Sequence, residues 1–565
     1  MSLINDASLI VTPNAISAGK LYSIIPTNGN GDMTVVRGTN ATRINSAGLV
    51  EIPRTNLCLR SEEFNDVTWI KTNGATITAN SEISPIGILN ADLMTATAAF
   101  AQVQTTPTVV IGVSYTVSMW IKRISGTGQV YLRSIENVST PITITNEWVR
   151  YSVTTTATST IGRIGVQLLV SGDSVAVWGA QLETSNVVTE YIPTVASIRT
   201  SFSGITQDGA SASNIARLNY DTVGGCPAIL IEPQRTNLDP TSQTFSSWTL
   251  NNSGGVTTSS VSTTNPYEFS TVSKVIPSAI LGQHRPFLST NYSSTGRFWV
   301  IAKADGYNFL SLGDGGGVAG ASIIFNLSNG TISGTASGYT GEITSFGNGW
   351  YKCSINTVFT GLTGRWVIIR NANSTADYIG DGTSGILFAH KQMEVGSYDT
   401  SSIPTLGSAI TRNSDSLTRA NIFTNNLITS AGGTWFVHLR NNIPLKRDAS
   451  TPSISIDTSS LTNGFSIKHI DSTSTLRLSI IKLINGVQTP LFLTTTDNVK
   501  IAIKWNGTTA DIFQNGVKVI TATAFTTTAM QNLSLLGTDV PKSINSTMLF
   551  PTPLTDTECI SMTQL

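Results

Sequence analysis

Two stretches of this sequence decide its fold: EIPRTNLCLRSEEFNDVTW, residues 51–69, and IEPQRTNLDPTSQTFSSW, residues 231–248. Each contains Arg-Thr-Asn-Leu and continues to a Phe and a Trp. The tryptophans that end the two stretches lie 179 positions apart, and the same interval separates Trp120 from Trp299. A long self-similarity at one fixed interval indicates that a domain has been duplicated.

The two copies also end alike. The first closes with VWGAQLETSNVVTEYIPT at Thr194, and the second closes with LFAHKQMEVGSYDTSSIPT at Thr405. The second copy holds about two dozen extra residues between its second and third tryptophans, around GDGGGVAGASIIFNLSNG. This insertion predicts an added loop or hairpin.

Short runs of alternating or β-branched residues fill the chain, among them SYTVSMWIKR and DIFQNGVKVITAT, and Asn-Gly and Asp-Gly turn signals separate them. Helical periodicity is almost absent, so the pattern predicts an all-β fold of sandwiches. A third unit, unlike the repeat, begins near GGTWFVHLR. In it Asn515-Gly516 predicts a tight turn, and Thr555 followed by Glu558 predicts the capping box of a short terminal helix.

Composition and simple motifs argue against several classes of function. Charged residues make up 12% of the chain, and 34 Lys and Arg balance 34 Asp and Glu, which gives no indication of nucleic acid or an anionic membrane as a partner. The opening MSLINDASLIVTP has no signal-peptide pattern. The four widely spaced cysteines form no CxxC pair and predict neither a disulfide framework nor a zinc site. We therefore expect synthesis in a reducing cytoplasm.

Enzyme signatures are missing from the sequence. Neither a GxSxG elbow nor a Walker loop occurs, and no helical pattern follows GDGGGVAG to hold a phosphate. Asp314, Asp377 and Asp381 come nearest to a carboxylate cluster; we interpret them as turn residues, with catalysis and a structural calcium as alternatives. The sequence predicts no catalytic residue, no cofactor and no metal ligand. The four histidines, none in a metal-binding pattern, are His284, His390, His438 and His469.

The repeated motif allows two interpretations. Glu51 precedes Arg54 by three residues and Glu232 precedes Arg235 likewise, with a proline between them that keeps the segment extended. A repeated ligand site is one interpretation, because an Arg fork binds carboxylates. The other is a structural latch, in which Asn56 and Asn237 cap a turn through their side chains. The core-like spacing of the aromatic residues that follow favours the latch.

The tryptophans allow a similar choice between glycan platforms and core residues. The matched positions predict core for Trp120 with Trp299 and for Trp148 with Trp350. Trp178 and Trp366 have no tryptophan counterpart, which predicts greater exposure. Cys353 takes the place of Ser152 in the first copy and is predicted to be a small buried side chain.

The opening segment, with SLIVTPNAISAGKLYSIIP, resembles one that begins many bacteriophage virion proteins described as head spike or head fibre proteins. ARLNYDTVGGCPAILIEPQRTNL, residues 216–238, is similar to the junction that follows it there. The segments ending in IPT are similar to the end of carbohydrate-binding-module-like jelly rolls in phage fibres. GTWFVHL with LFPTPLTDTE resembles a concanavalin A-like, or laminin G-like, sandwich. One departure is that the first copy lacks the GGCPAILIEPQ lead-in and joins the N-terminal segment directly to Arg54.

The resemblance implies a non-enzymatic virion protein, a head fibre or spike or a tail fibre, that binds host-surface glycans. It carries over no catalytic residues and leaves head or tail open. A capsule depolymerase is an alternative, and the missing export signal argues against a bacterial adhesin. The expected units are an N-terminal segment that docks on capsid or tail proteins (1–50), a jelly roll (51–195), a linker (196–230), a second jelly roll (231–406), a linker (407–430) and a concanavalin A-like sandwich (431–565).

Exposed strand edges predict self-association. Three sandwiches carry many edges, and few lysines protect them. We therefore expect an obligate homo-oligomer, a homotrimer in the pattern of the resemblance. The sequence contains no heptads for a coiled-coil stalk.

Overall fold

The computed structural model describes most of the chain. It covers residues 3–565 except 138, 186, 222–223, 251–253, 269–270, 292–294, 315–321, 359–361, 373–374, 397, 441–452, 459–460, 473–474, 495–497, 527–528 and 539–540. The fold is all-β, as predicted. The helices among these described residues are two 3-10 turns and one α-helix, Leu3–Asp6, Ile135–Asn137 and Asp556–Thr563. Within the described residues, no helix has the length and apolar character needed to cross a membrane.

The first sandwich, residues 54–194, consists of two antiparallel five-stranded sheets that enclose one core. The core forms because alternate residues of each strand are apolar; in one strand these are Val117, Met119 and Ile121. In sheet order, the strands of the first sheet are Val149–Thr156, Ser114–Ser125, Ser174–Glu183, Leu89–Ala96 and Ala75–Ile83. Those of the second sheet are Ser139–Ile142, Val130–Arg133, Ile164–Leu168, Ala101–Thr105 and Ile70–Thr72.

The second sandwich, residues 235–405, repeats this arrangement with a six-stranded and a five-stranded sheet. The insertion in the second copy contributes strands to both sheets, while 315–321 of its glycine-rich part lie outside the described residues. The strands of the larger sheet are Val256–Ser262, Thr271–Pro277, Gly385–Val395, Thr295–Asp305, Trp350–Val358 and Gly341–Ser345. Those of the smaller sheet are Phe287–Asn291, Leu362–Arg370, Phe309–Asp314, Ser322–Asn326 and Thr331–Thr335.

The terminal sandwich combines strands from three distant parts of the chain around one core. One sheet contains Arg217–Asp221, Gly224–Ile231, Lys542–Phe550, Gly433–Arg440, Asn498–Trp505, Thr509–Gln514 and Val517–Ala524, with Leu9–Val11 paired to Lys542–Phe550. The other contains Ile16–Ser17, Lys20–Leu21, Met33–Val36, Ser416–Arg419, Asn532–Leu536, Ile454–Asp457, Gly464–Ser472, Thr475–Ile484 and Val487–Thr494.

These pairings differ from the expected domain boundaries. The segment 1–50 and the linkers 196–230 and 407–430 were expected to stand apart from the sandwich at 431–565, yet all three supply strands to it. The physical reason is burial: Leu9, Ile229 and Leu417 are at most 1% exposed because they share its core. The two repeated sandwiches are therefore inserted between strands of the terminal one.

A buried ionic network joins the three parts of the chain at the terminal sandwich. Arg37 contacts Asp415 at 2.8 Å, Arg217 contacts Glu232 at 2.6 Å, and Arg412 contacts Glu232 at 2.7 Å. Arg217 also pairs with Asp415. All five side chains are at most 3% exposed. Because each partner left alone would be a costly buried charge, the network fixes the junction.

Both repeated sandwiches are preceded by a hairpin, including the first, whose sequence lacks the GGCPAILIEPQ lead-in. Arg43–Ile44 pairs with Val50–Glu51, and Arg217–Asp221 pairs with Gly224–Ile231. Arg43 and Glu51 form an ion pair at 2.6 Å, as Arg217 and Glu232 do. The strands of the first hairpin are shorter, and its sequence has no GGCPAILIEPQ motif. It therefore could not be recognised from the sequence. The remaining short pairings are Ile205–Asp208 with Arg199–Phe202, Arg199–Phe202 with Arg54–Asn56, Arg235–Asn237 with Ile410–Arg412, and Gly282–Gln283 with Asp377–Tyr378.

Candidate functional site

The asparagine of each Arg-Thr-Asn-Leu motif is a buried latch. Asn56 Nδ2 donates to the carbonyls of Ala180 (3.0 Å) and Ile192 (2.8 Å). Its Oδ1 accepts from the backbone N–H of Cys58 (3.0 Å) and Leu182 (3.1 Å). The bond to the N–H two residues on is the predicted turn cap. The side chain is 0% exposed, so it positions backbone and does not meet a ligand.

Asn237 makes the corresponding bonds in the second sandwich. Its Nδ2 donates to the carbonyls of Lys391 (3.4 Å) and Ile403 (2.8 Å). Its Oδ1 accepts from the N–H of Asp239 and Met393, both at 3.1 Å. The structure thus confirms the latch interpretation of the two asparagines.

The Glu and Arg of the motif do not pair with each other. Glu51 pairs with Arg43, while Arg54 lies 3.5 Å from Glu268 of the second sandwich. Glu232 belongs to the buried network, and Arg235 lies 3.8 Å from Glu394. Both arginines hold neighbouring parts of the chain together.

The closing segments are tied to the sheets in the same way in both copies. Glu183 accepts from the backbone N–H of Thr189 (3.0 Å), and Glu394 accepts from that of Thr400 (2.9 Å). The threonine hydroxyl donates to the same glutamate in each case. Each glutamate therefore fixes the course of the chain that follows its strand.

The outward side of the Ser114–Ser125 sheet carries four aromatic side chains and one arginine, which together we call the aromatic face: Trp120, Trp148, Trp178, Tyr191 and Arg150. Trp120 and Trp178 are cross-strand partners with ring centroids 5.2 Å apart. Tyr191, from the closing segment, lies 5.4 Å from Trp120 and 4.9 Å from Trp178. Trp120, Trp148 and Tyr191 are half-buried, and Trp178, against Trp120 and Tyr191, is 2% exposed.

Polar groups surround the aromatic face. The Arg150 guanidinium carbon lies 4.3 Å from the Trp120 ring centroid, and its Nη atoms donate to the Thr189 carbonyl (2.6 Å) and to Ser118 Oγ (3.0 Å). Burial lowers the pKa of Arg150, an effect that Glu183 opposes. Trp178 Nε1 has no hydrogen-bond partner among the described residues. The face thus combines aromatic carbon with an ordered cation, while the Trp178 N–H is buried.

The matching side of the second sandwich is covered by the chain itself. Lys352 Nζ lies 4.3 Å from the Trp299 ring centroid, although its cross-strand partner is Ile301, whereas Arg150 is the cross-strand partner of Trp120. Trp299 and Trp350 are each 1% exposed. They pack with Tyr267 and with Val50 of the first lead-in hairpin. One copy therefore uses this side for packing, while the other leaves it half open.

A cleft of about 470 Å³ remains beside that packed surface, between the second and terminal sandwiches. Trp299, Lys352 and Asp399 line it on one side and Arg440 on the other. Burial opposes ionisation of Asp399, but Lys352 (3.0 Å) and Arg297 (2.6 Å) hold its pKa well below the usual range. These ion pairs tie two strands of the second sandwich to its closing segment.

The tryptophan predictions are partly correct. Trp299 and Trp350 are buried as predicted, whereas Trp120 and Trp148 are only half-buried. The expected exposure of the two unmatched tryptophans is wrong, since Trp178 and Trp366 are 2% and 1% exposed. The neighbours that bury these two residues do not follow from the sequence. Trp120 and Tyr191 cover Trp178. Gly313 leaves room for the Trp366 ring, which would lie 2.1 Å from a Cβ added at Gly313.

The three predicted aspartates are not brought together as a site by any described contact. Asp381 Oδ1 accepts from the N–H of Thr383 (2.8 Å) and Ser384 (2.7 Å), as a turn aspartate does. Asp377 is exposed on a two-residue strand, and the side chain of Asp314 lies outside the described residues. Within the described part of the chain, no three His, Cys, Asp or Glu side chains are grouped to hold a metal ion.

Comparisons with known proteins add little to this geometry. No family model and no curated protein matches the chain. The tandem CBM22-1–CBM22-2 domains of Paenibacillus barcinonensis Xyn10C are similar over 60% of this chain and 98% of their own, with 12% identity and a TM-score of 0.19. The CBM22-1 xylan-binding domain of the same protein is similar over 24% of this chain and 94% of its own, with 12% identity and a TM-score of 0.19. At TM-scores this low, these likenesses assign no ligand to the chain.

Proposed function

We propose that this chain is a non-catalytic structural protein of a bacteriophage particle, a fibre or spike made in the host cytoplasm, and that its aromatic face binds glycans of the host surface. The observation that carries the proposal is the difference between the two copies. The same side of the sandwich is packed away around Trp299 in the second copy and is half open around Trp120 in the first.

The chemistry of the aromatic face suits a sugar. Sugar rings combine apolar C–H faces with hydroxyl groups, and aromatic side chains with a few fixed polar groups are the ordinary means of binding such ligands. Trp120, Trp148 and Tyr191 supply aromatic carbon. Arg150, held against the Trp120 ring, supplies a fixed cation for the hydroxyl or carboxylate oxygens of a glycan. The pattern fits a polysaccharide better than a lipid, because the rings are interspersed with polar groups.

The architecture supports a display role. The repeated sandwiches are inserted between strands of the terminal sandwich, and the Arg37, Arg217 and Arg412 network fixes that junction. A rigid junction keeps the aromatic face in a constant position relative to the rest of the chain. The near balance of charge, 34 basic against 34 acidic residues, suits a protein held in a permanent assembly.

Two measurements test the proposal. The full chain and Trp120→Ala are titrated with purified host capsular and cell-wall polysaccharides by calorimetry, and Trp120→Ala is expected to weaken binding by at least about tenfold. Tyr131→Ala is the matched control, because Tyr131 is a half-buried aromatic residue on the other sheet of the same sandwich. Equal binding by all three proteins would contradict the assignment of the face. Absence of the chain from purified virions by mass spectrometry would contradict the virion role, and release of reducing ends would contradict the non-catalytic one.

A further inference from the structure

The two repeated sandwiches carry equivalent hairpins next to an equivalent tryptophan. Trp148 Nε1 donates to the Ile83 carbonyl at 2.9 Å, and Trp350 Nε1 donates to the Thr264 carbonyl at 3.0 Å. Two residues after each of these carbonyls comes a proline, Pro85 in the first hairpin and Pro266 in the second. The two hairpins therefore lie in equivalent places beside the matched tryptophans, although the turn between Ile83 and Leu89 is shorter than the turn between Ser262 and Thr271.

The second tip is a docking element. The N–H of Val50 donates to the Pro266 carbonyl at 2.7 Å, and Val50 pairs with Tyr267 in a parallel bridge. Asn45 Nδ2 donates to Glu268 at 2.8 Å. Tyr267 is 2% exposed, so this tip is buried against another part of the chain.

The first tip lies in the equivalent place and is exposed. Ile83, Ile86, Ile88 and Leu89 are 61%, 58%, 56% and 60% exposed. No charged residue lies between Ile83 and Leu89. The adjoining strand, Ala75–Ile83, is the edge of its sheet, and its one charged residue, Glu82, is paired with Lys122 at 3.2 Å. A clustered apolar tip beside an edge strand whose single charge is paired is the kind of surface that soluble proteins cover.

We infer that residues 83–89 form a self-association surface, at which the first hairpin of one copy of this chain docks on that of a second copy. The equivalent tip shows what this element does when it has a partner: it buries its apolar residues against protein. The lead-in strand Val50–Glu51 is already used by the second sandwich, so the partner of the first tip belongs to another molecule. The absence of charge favours a second copy, because two identical apolar surfaces complement each other in a symmetric contact. This inference is independent of glycan binding.

Light scattering after size-exclusion chromatography of the full chain tests the inference. One chain has a mass of 60.0 kDa, and we expect a multiple of that mass at micromolar concentration. The double variant Ile86→Asp, Ile88→Asp is expected to run at the mass of one chain. The matched control is the double variant Ile280→Asp, Leu281→Asp, which places the same charges on the second sandwich at apolar residues that are 60% and 69% exposed. Its mass is expected to stay at the wild-type multiple of one chain. A wild-type mass of one chain, or a double variant that keeps the wild-type multiple, would overturn the inference.

A crosslink locates the contact without disturbing it by charge. Ile86→Cys in a Cys226→Ser background removes the exposed native thiol and places one at the tip. Mild oxidation is expected to give a disulfide-linked dimer, while Ile280→Cys in the same background stays monomeric on a denaturing gel. Equal crosslinking of the two variants would count against the tip as the contact.

Discussion

Gly179 lies directly against the ring of Trp120. An added Cβ at Gly179 would stand 2.8 Å from Cε3 and 3.0 Å from Cζ3 of Trp120, and the backbone of Gly179 has a φ of +65°. In the second sandwich the corresponding residue is His390, whose ring lies 5.0 Å from that of Trp299. A glycine at this position thus lets Trp120 lie close to the neighbouring strand in the copy whose face is open.

Replacing Gly179 with Ala is expected to displace Trp120. A methyl group cannot occupy the space that the ring fills, so the ring must move away from Arg150 and Tyr191. Near-ultraviolet circular dichroism should change, and glycan affinity at the aromatic face should fall by about tenfold or more. Gly172→Ala is the matched control: its φ is +93°, but nothing lies within 4 Å of the added Cβ. Both variants are expected to lose about 1 kcal/mol from backbone strain, so a matching loss of affinity in Gly172→Ala would contradict the argument.

Replacing Asn56 with Ala should destabilise the first sandwich by about 3 kcal/mol, because it leaves buried backbone groups without partners. Differential scanning calorimetry is expected to show a lower transition temperature for that sandwich. Asn65→Ala, at an exposed asparagine a few residues on, should change it little. A calorimetric trace in which the two variants coincide would show that the latch contributes no stability.

The latches and the duplication can be predicted from the sequence because both depend on short motifs at a fixed spacing. It also predicts the turn at Asn515-Gly516, whose φ values of 46° and 79° suit a tight hairpin, and the Thr555–Glu558 capping box. The burial of Cys353 is likewise confirmed. Each of these is settled by a few neighbouring residues.

The composite terminal sandwich could not be predicted in this way. Leu9–Val11 has three residues and pairs with a strand more than 500 positions later, so no periodicity marks it. The aromatic face was missed for a related reason. Whether Trp178 is exposed depends on Trp120 across the sheet and on Tyr191 from the closing segment, and neither contact follows from the spacing of tryptophans. The unmatched position of Trp178 in the repeat indicates that the copies differ here, but not that Trp178 is buried.

The stability of the chain should fall steeply in acid because of Glu232. Burial would raise the pKa of Glu232, but Arg412 and Arg217 with Ser401 lower it from 4.5 to about 2. A carboxyl whose pKa is lower in the folded state stabilises the fold above pH 4.5, and this contribution is lost as the pH falls from 4.5 to 2. Urea unfolding monitored across this range should therefore show decreasing stability.

The variant Glu232→Gln tests that assignment. It is expected to lose about 3–5 kcal/mol at neutral pH, because it leaves buried arginines uncompensated, and to show a shallower pH dependence below 4.5. Glu147→Gln, at an exposed glutamate of the first sandwich, should follow the wild-type curve. A Glu232→Gln curve parallel to the wild type below pH 4.5 would show that another group carries the acid sensitivity.

Thiol labelling should distinguish one cysteine from the other three. Cys226 is exposed, whereas Cys58, Cys353 and Cys559 are buried. Burial raises the pKa of the Cys559 thiol to about 12 and those of Cys58 and Cys353 further, so these thiols carry almost no reactive thiolate near neutral pH. Iodoacetamide should therefore add one group to the native chain and four groups to the chain in denaturant, counted by intact mass. The native Cys226→Ser variant should take up no iodoacetamide group. If a second cysteine of the native wild-type chain were labelled at the same rate as Cys226, the sandwich that contains it would open far more readily than its packing indicates.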